Sequence, residues 1–319
     1  MPSSMNRKQP ALGVSSCLLG VNVRYDGNNK HHSFIASVLN KHFDLLPICP
    51  EVAIGMGVPR TPIQLRIIDG ELHAVGAGNH VQNVTTALQA YGQQQATHAR
   101  AFCGYIFKSS SPSCGVSDTK IFSDHGVSTG QGIYAREIVH ALPYLPVIDE
   151  TQLDKAETKD NFLERVFSLA RWQQSVASPI SVSRLNDFHV TYRLTLAAHS
   201  DEADEALAET ISVLHDPLPH DAIGNYLEQF HDFLKTPLTH KDHIKTLTKL
   251  QLRLSPIICS DETEELNTEI RKYRESPENL TTSLQLIKQL AEKYNLYELS
   301  RQAYINPTPA EIALRYSQQ

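Results

Sequence analysis

Residues 104–116, GYIFKSSSPSCGV, join a short aromatic and β-branched run to serines, a proline, a cysteine and a glycine. An apolar run of this length, stopped by turn residues, reads as a buried strand, and the polar residues behind it mark what the chain presents at the strand's carboxyl end. The pattern recurs upstream. ALGVSSCLLG (11–20) places Cys17 just past an apolar run, and DLLPICPE (44–51) ends one at Cys49, where Pro50 stops it. Helical patterns fill the gaps. HHSFIASVLNKHF (31–43) carries Phe34, Ile35, Val38 and Leu39 at helical spacing, a long helix is expected from about Asn83 to Phe102, and another falls in GIYAREIVHAL (132–142). IQLRIIDGELHAV (63–75) reads as two strands about the hairpin dipeptide Asp69-Gly70, and LPVIDE (145–150) as a last strand. Strands alternating with helices predict an α/β domain with a mostly parallel, Rossmann-like sheet.

Past Glu150 the periodicity changes. NFLERVFSLARW (161–172), DEADEALAETISVL (201–214), KDHIKTLTKLQLRL (241–254) and TTSLQLIKQLAEKY (281–294) all repeat with a helical period, and none alternates as a strand does. The chain, at 319 residues, is also longer than one core usually serves. The expected organisation is an α/β domain over 1–155, a connector helix and linker over 156–183 that includes the Ser/Pro-containing VASPISVS, and a smaller all-α domain over 184–319.

A formal net charge of −6 gives no global reason to expect a nucleic-acid or membrane-surface protein. No apolar stretch approaches the roughly 20 residues of a membrane helix. MNRKQPALGVSSC (5–17) has basic residues before a short apolar run, yet ALGVSS falls short of the apolar region of a signal peptide. Five cysteines, an odd number, without an export signal point to a reducing, cytoplasmic setting in which thiols are free, metal-bound or catalytic.

Cys17, Cys49 and Cys114 share the strand-end setting, and in an open α/β sheet residues beyond the carboxyl ends of different strands can converge on one ligand. Cys103 and Cys259 lack it and read as packing residues. Spacing leaves three readings of the strand-end thiols open: buried structural groups, a catalytic thiol, or ligands of zinc or an iron–sulfur cluster. Glu51 reads equally as a carboxylate at a helix N-terminus, and Ser111 and Ser113 as turn or cap hydroxyls.

The ordered motifs SSCLLGVNVRYDG (15–27), CPEVAIGMGVPR (49–60) and KSSSPSCG (108–115) resemble the signature of the thiouracil desulfidase-like family. The helical half resembles, around FHVTYRLTLAAHS (188–200), the YbgA-like domain that is often fused to it. The first resemblance implies a [4Fe-4S] cluster held by Cys17, Cys49 and Cys114 with one iron open to substrate. It also implies a catalytic glutamate matching Glu51 and a catalytic serine matching Ser111. Many relatives carry a further cysteine where this chain has Val23, a thiol that the three-cysteine cluster does not require.

On that basis the expected activity is hydrolytic removal of sulfur from a thiolated pyrimidine, 2-thiouracil to uracil and sulfide, with Glu51 moving the protons. Arg24, Lys108 and Ser113 are further substrate candidates; Arg60 reads likewise, and Tyr25 in RYDG is either part of a turn or a stacking surface. The glycines of GMGVP lack a phosphate-loop pattern.

Two other readings stand beside it. One is a cluster enzyme that delivers sulfur to RNA nucleobases, docked by the basic stripe Lys241, Lys245, Lys249 and Arg253. The other is a non-catalytic scaffold whose three cysteines hold zinc, with His31 or His32 as the fourth ligand. The stripe reads more simply as a solvated helix face, and His189 and His199 as core or surface residues. The expected partner is therefore a small thiolated nucleobase rather than nucleic acid or membrane.

Overall fold

The structure, a computed structural model, describes residues 9–78, 82–175, 180–219 and 221–316. The basic N-terminal residues 1–8 and residues 176–179 of the expected linker lie outside the described residues. The chain divides into two compact units, Met1–Lys155 and Ala156–Gln319.

The first unit opens with β1 (Ala11–Ser15) and continues through β2 (Asp44–Ile48), the short helix α1 (Pro50–Ala53), β3 (Ile63–Ile68) and β4 (Glu71–Gly76). Helix α2 (Thr85–Ala99), β5 (Phe102–Phe107), β6 (Thr119–Ser123) and β7 (Gly126–Gly130) follow, then α3 (Ile133–Ala141), β8 (Val147–Asp149) and α4 (Glu150–Leu153). One sheet, ordered β2-β1-β5-β8, is parallel at every pairing. Its central strand β5 is buried at every residue, which is why FCGYIF is a continuous apolar run rather than an alternating one. Pro47, which has no N–H to donate, sits on the edge strand β2.

A second sheet is ordered β4-β3-β6-β7. Its β3–β4 hairpin turns at Asp69 and Gly70, with φ of 51° and 82°, the left-handed pair that a two-residue turn of this hand requires. Strands β6 and β7 form a further antiparallel pair that the periodicity did not reveal, because β7, GVSTG, is almost wholly exposed and carries no apolar pattern. Ile63, Leu65, Ala74, Val84, Leu88 and Ile133 pack together beneath this sheet. The stretch 34–41, expected as an ordinary helix, is a wide turn at Phe34–Val38 followed by a tight one at Leu39–Lys41.

In the second unit α5 (Ala156–Ser175), α6 (Val182–His199), α7 (Ala203–Ser212), α8 (Ala222–Phe233), α9 (His240–Leu254), α10 (Ser260–Glu275) and α11 (Leu280–Lys293) succeed one another. Helix α5 is no free connector: Phe162, Leu163, Val166 and Leu169 are buried, and it belongs with the helices that follow it. Trp172, Phe188, Tyr192, Tyr226 and Phe230 from α5, α6 and α8 form an aromatic cluster. Leu247, Leu250, Leu266, Ile270, Leu284 and Ile287 make the core of α9, α10 and α11. Thr239 and Asp242 cap α9 reciprocally. His189 bonds Tyr226 and stands 3.2 Å from Asp204, and His199 is ion-paired to buried Glu164 at 2.9 Å, so both serve packing. No helix among the described residues is long and apolar enough to cross a membrane.

The first unit ties its 109–115 loop to a helix end. The Ile133 amide donates to the Pro112 carbonyl at 3.0 Å and the Ala135 amide to the Ser113 carbonyl at 3.0 Å, so the loop occupies donors that a helix N-terminus leaves unpaired. This needs close approach at Gly132, where a Cβ would stand 2.5 Å from the Ser113 carbonyl carbon and 2.8 Å from the Cys114 amide nitrogen. Gly132→Ala is expected to destabilise the chain by about 2 kcal/mol through this overpacking, measured as a lower urea midpoint.

Candidate active site

Each strand of the parallel sheet delivers a chemically distinctive residue at its carboxyl end. Cys17 lies in the tight turn Ser16–Leu19 after β1, Cys49 precedes α1 after β2, Cys114 follows β5 through the serine loop, and Glu150 follows β8. Cys17, Cys49 and Cys114 line one cavity of about 270 Å³, together with Glu51, Arg24 and Lys108. The structure thus brings together residues more than 60 positions apart.

Burial pushes the Cys17 thiol up to about 11, and the charge on Cys49 adds to the rise. Cys114 is raised well above the ordinary thiol value by burial first and by Cys49 next; the Ser15 hydroxyl bonds it and opposes part of the rise. Cys49 is raised by burial. The three groups therefore sense one another as charges across a shared space. Among the described residues, no three His, Cys, Asp or Glu side chains come close enough to share one metal ion. His32, weighed as a zinc ligand, is instead 3.0 Å from Asp154. Cys103 is buried on β5 and Cys259 is exposed before α10, both away from the cavity.

Glu51 sits in the first turn of α1 and is gripped at both oxygens. Nε and Nη2 of Arg60 each stand 2.8 Å from Oε2, and Ser113 Oγ donates to Oε1 at 2.9 Å. Arg60 is itself oriented by the Gly57 carbonyl, 2.9 Å from Nη1.

Of the two candidate serines, Ser113 is fully buried and touches the carboxylate, whereas Ser111 lines the cavity. Ser111 Oγ accepts the amides of Ser113 and Cys114 at 3.3 and 3.1 Å, so it also shapes the turn that carries the cysteine. Ser110 adopts φ of 54°, unusual for a residue with a side chain, and Asp118 holds it there by accepting its amide and its hydroxyl at 2.8 and 2.6 Å.

The Arg24 Nε is buried at the cavity without a hydrogen-bond partner, 3.7 Å from Asp26. Tyr25, beside it, lies at the start of a turn closed by the Gly27 amide on the Arg24 carbonyl at 3.0 Å, and its ring also lines the cavity. Lys108 is engaged: its ammonium pairs with Glu150 and donates to Ser109 Oγ at 2.7 Å. Glu150 went unnoticed in the sequence, although the strand-end rule that selects the cysteines applies to it equally.

With this geometry in view, the comparisons with known proteins become informative. A family model described as 2-thiouracil desulfurase matches residues 12–150, and one described as a protein of unknown function, DUF1722, matches residues 193–309. The chain is a 2-thiouracil desulfurase family domain joined to a DUF1722 domain. It is 29% identical over 159 residues to the uncharacterized protein YbgA of Escherichia coli K12, a match covering 50% of this chain and 94% of that protein. A solved structure of a [4Fe-4S]-dependent thiouracil desulfidase, TudS, is 28% identical, with 46% of this chain and 94% of that one covered at a TM-score of 0.36.

The Glu150 pair yields a pH prediction. Burial alone would raise its carboxyl, but the Lys108 ammonium and the hydroxyl and amide of Ser109 outweigh it and hold the group below the ordinary 4.5. A carboxyl lowered by folding contributes stability above its unfolded value and loses it as pH falls through the folded one. Between about pH 7 and about pH 3 the urea midpoint of the parent should therefore fall more steeply than that of Glu150→Gln.

Proposed function

We propose that this chain hydrolyses the thiocarbonyl of a pyrimidine, 2-thiouracil in the simplest case, to the carbonyl and sulfide, with a [4Fe-4S] cluster on Cys17, Cys49 and Cys114 as cofactor. The observation that carries the reading is the convergence of these three thiols with Glu51 on one cavity. The donor set suits the group. Three buried thiols that raise one another's pKa are poor neighbours as free thiolates, and a cationic metal centre relieves that repulsion. They face a common space without being close enough to share one ion, which favours a ligand larger than a single zinc.

Bound there, the cluster supplies an open iron, a soft Lewis acid suited to a thiocarbonyl sulfur. The chain's own residues do the rest. Arg24 offers its unpartnered Nε to a ring carbonyl, and the exposed Tyr25 face gives the ring an apolar wall. Glu51 takes a proton from the water that attacks the thiocarbonyl carbon, forming the new C–O bond. It then returns the proton as the C–S bond breaks, so that one water is consumed and one sulfide released.

Oε1 suits this exchange better than Oε2, because Oε2 already faces two guanidinium N–H groups while Oε1 faces one rotatable hydroxyl. Ser113 is thereby a positioning residue for Glu51, and Ser111, at the cavity wall, orients water or substrate. Lys108, held by Glu150, contributes positive charge near Cys17 rather than a free substrate donor.

Anaerobically reconstituted protein should contain about four iron and four labile sulfide per chain and release sulfide from 2-thiouracil. Glu51→Gln should keep the iron and lose roughly 10²–10⁴ in turnover. Cys17→Ala, Cys49→Ala and Cys114→Ala should lose both. A fully active Glu51→Gln protein would remove the carboxylate from the mechanism, and zinc without labile sulfide would remove the cluster.

A further inference from the structure

The helical unit has its own cavity, unrelated to the thiols. A groove of about 260 Å³ runs between α9 and α10 and is lined by Thr248, Gln251, Asn267, Ile270, Arg271 and Arg274. No carboxylate is among these lining residues.

The two arginines are unusual in their unit. Lys245 and Lys249 both pair with Asp201, at 2.7 and 2.8 Å, so half of the basic stripe on α9 is already neutralised. Lys272 pairs with Glu269 and Lys293 with Glu262. Arg271 and Arg274 are in no ion pair among the described residues, and each contacts only a threonine hydroxyl. Arg274 Nη2 donates to Thr248 Oγ1 at 3.2 Å, and Arg271 Nη2 reaches Thr268 Oγ1 at 3.4 Å. Three residues apart on one helix, they project side by side. Thr248 is itself held, donating to the Ile244 carbonyl at 2.8 Å, so Arg274 is steered from a fixed point across the groove. Buried Ile270 forms an apolar floor, and the amide side chains of Gln251 and Asn267 add neutral donors at the edge.

We infer that the α9–α10 groove binds a phosphate group through Arg271 and Arg274. Guanidinium forks match the paired oxygens of phosphate, and a groove with two such forks, polar amides and no carboxylate favours an anion over a cation or a neutral ligand. The phosphate belongs either to a small phosphorylated molecule or to a single-stranded nucleic-acid backbone. The site is independent of the thiocarbonyl chemistry.

Isothermal titration of the full chain at low ionic strength with inorganic phosphate, and separately with a short oligouridylate, tests it. Saturable phosphate binding is expected, weakened by about a hundredfold in Arg271→Gln/Arg274→Gln. It should be unchanged in Arg253→Gln, a cation on α9 outside the groove. Asn267→Glu keeps both arginines and places a carboxylate beside them, and it should abolish binding even if the double variant folds poorly. Oligouridylate binding far tighter than phosphate, and steeply salt-dependent, identifies a nucleic-acid backbone; equal affinity identifies a small phosphorylated ligand. No saturable binding of either probe, or binding indifferent to Arg271→Gln/Arg274→Gln and to Asn267→Glu, overturns the inference.

Discussion

The loop carrying Cys114 has no ladder of its own, and what holds it is the unmet need of a helix. The first amides of α3 lack intrahelical acceptors, and the carbonyls of Pro112 and Ser113 supply them at 3.0 Å. A backbone hydrogen bond of this kind contributes on the order of 1 kcal/mol. Its greater effect is geometric, because it fixes the loop against a rigid element at the point where the third thiol must arrive. Gly132 makes the approach possible, and Ser111 and Asp118 complete the turn from the other side. Displace this loop and Cys114 leaves the cavity while Ser113 leaves Glu51.

That coupling gives the site its character. Ser113 and Cys114 are neighbours in sequence, as Cys49 and Glu51 nearly are, so two short segments each bring one thiol and one member of the carboxylate network. Placing the thiols and placing the carboxylate are one structural problem. Arg60 adds a third anchor at Glu51 Oε2, its side chain only 5% exposed. A carboxylate gripped at both oxygens cannot swing, which suits a group that must meet a small ring at a fixed distance. The second unit uses charge differently, with Glu164 buried between His199 and Arg315 as an internal fastening while its arginine groove faces solvent.

The α/β character of the first unit was legible because apolar runs, turn residues and the Asp69-Gly70 dipeptide are local signals. Helical periodicity marked the second unit equally well. The placement of the three cysteines followed from one topological rule, that parallel strands end on the same edge. The family resemblance added the roles of Glu51 and Ser111, which spacing had left open. Two features escaped. The β6–β7 pair is exposed and carries no alternation, so its pairing depends on β3 alongside β6 rather than on its own composition. The stretch 34–41 has helical spacing but turns irregularly.

What the sequence by itself determined is which segments become strands and helices and which residue types stand at the strand ends, since both depend on neighbours within a few positions. Only the tertiary structure decided the pairings across long separations. Ser113 rather than Ser111 donates to Glu51, Arg60 grips its other oxygen, and Glu150 engages Lys108. Likewise Asp201 neutralises Lys245 and Lys249, and Arg271 and Arg274 remain without a carboxylate. Which donor meets which acceptor is set by ångström-scale packing of distant segments, and a hydrogen bond fades within a few tenths of an ångström and tens of degrees. No local pattern encodes distances that fine.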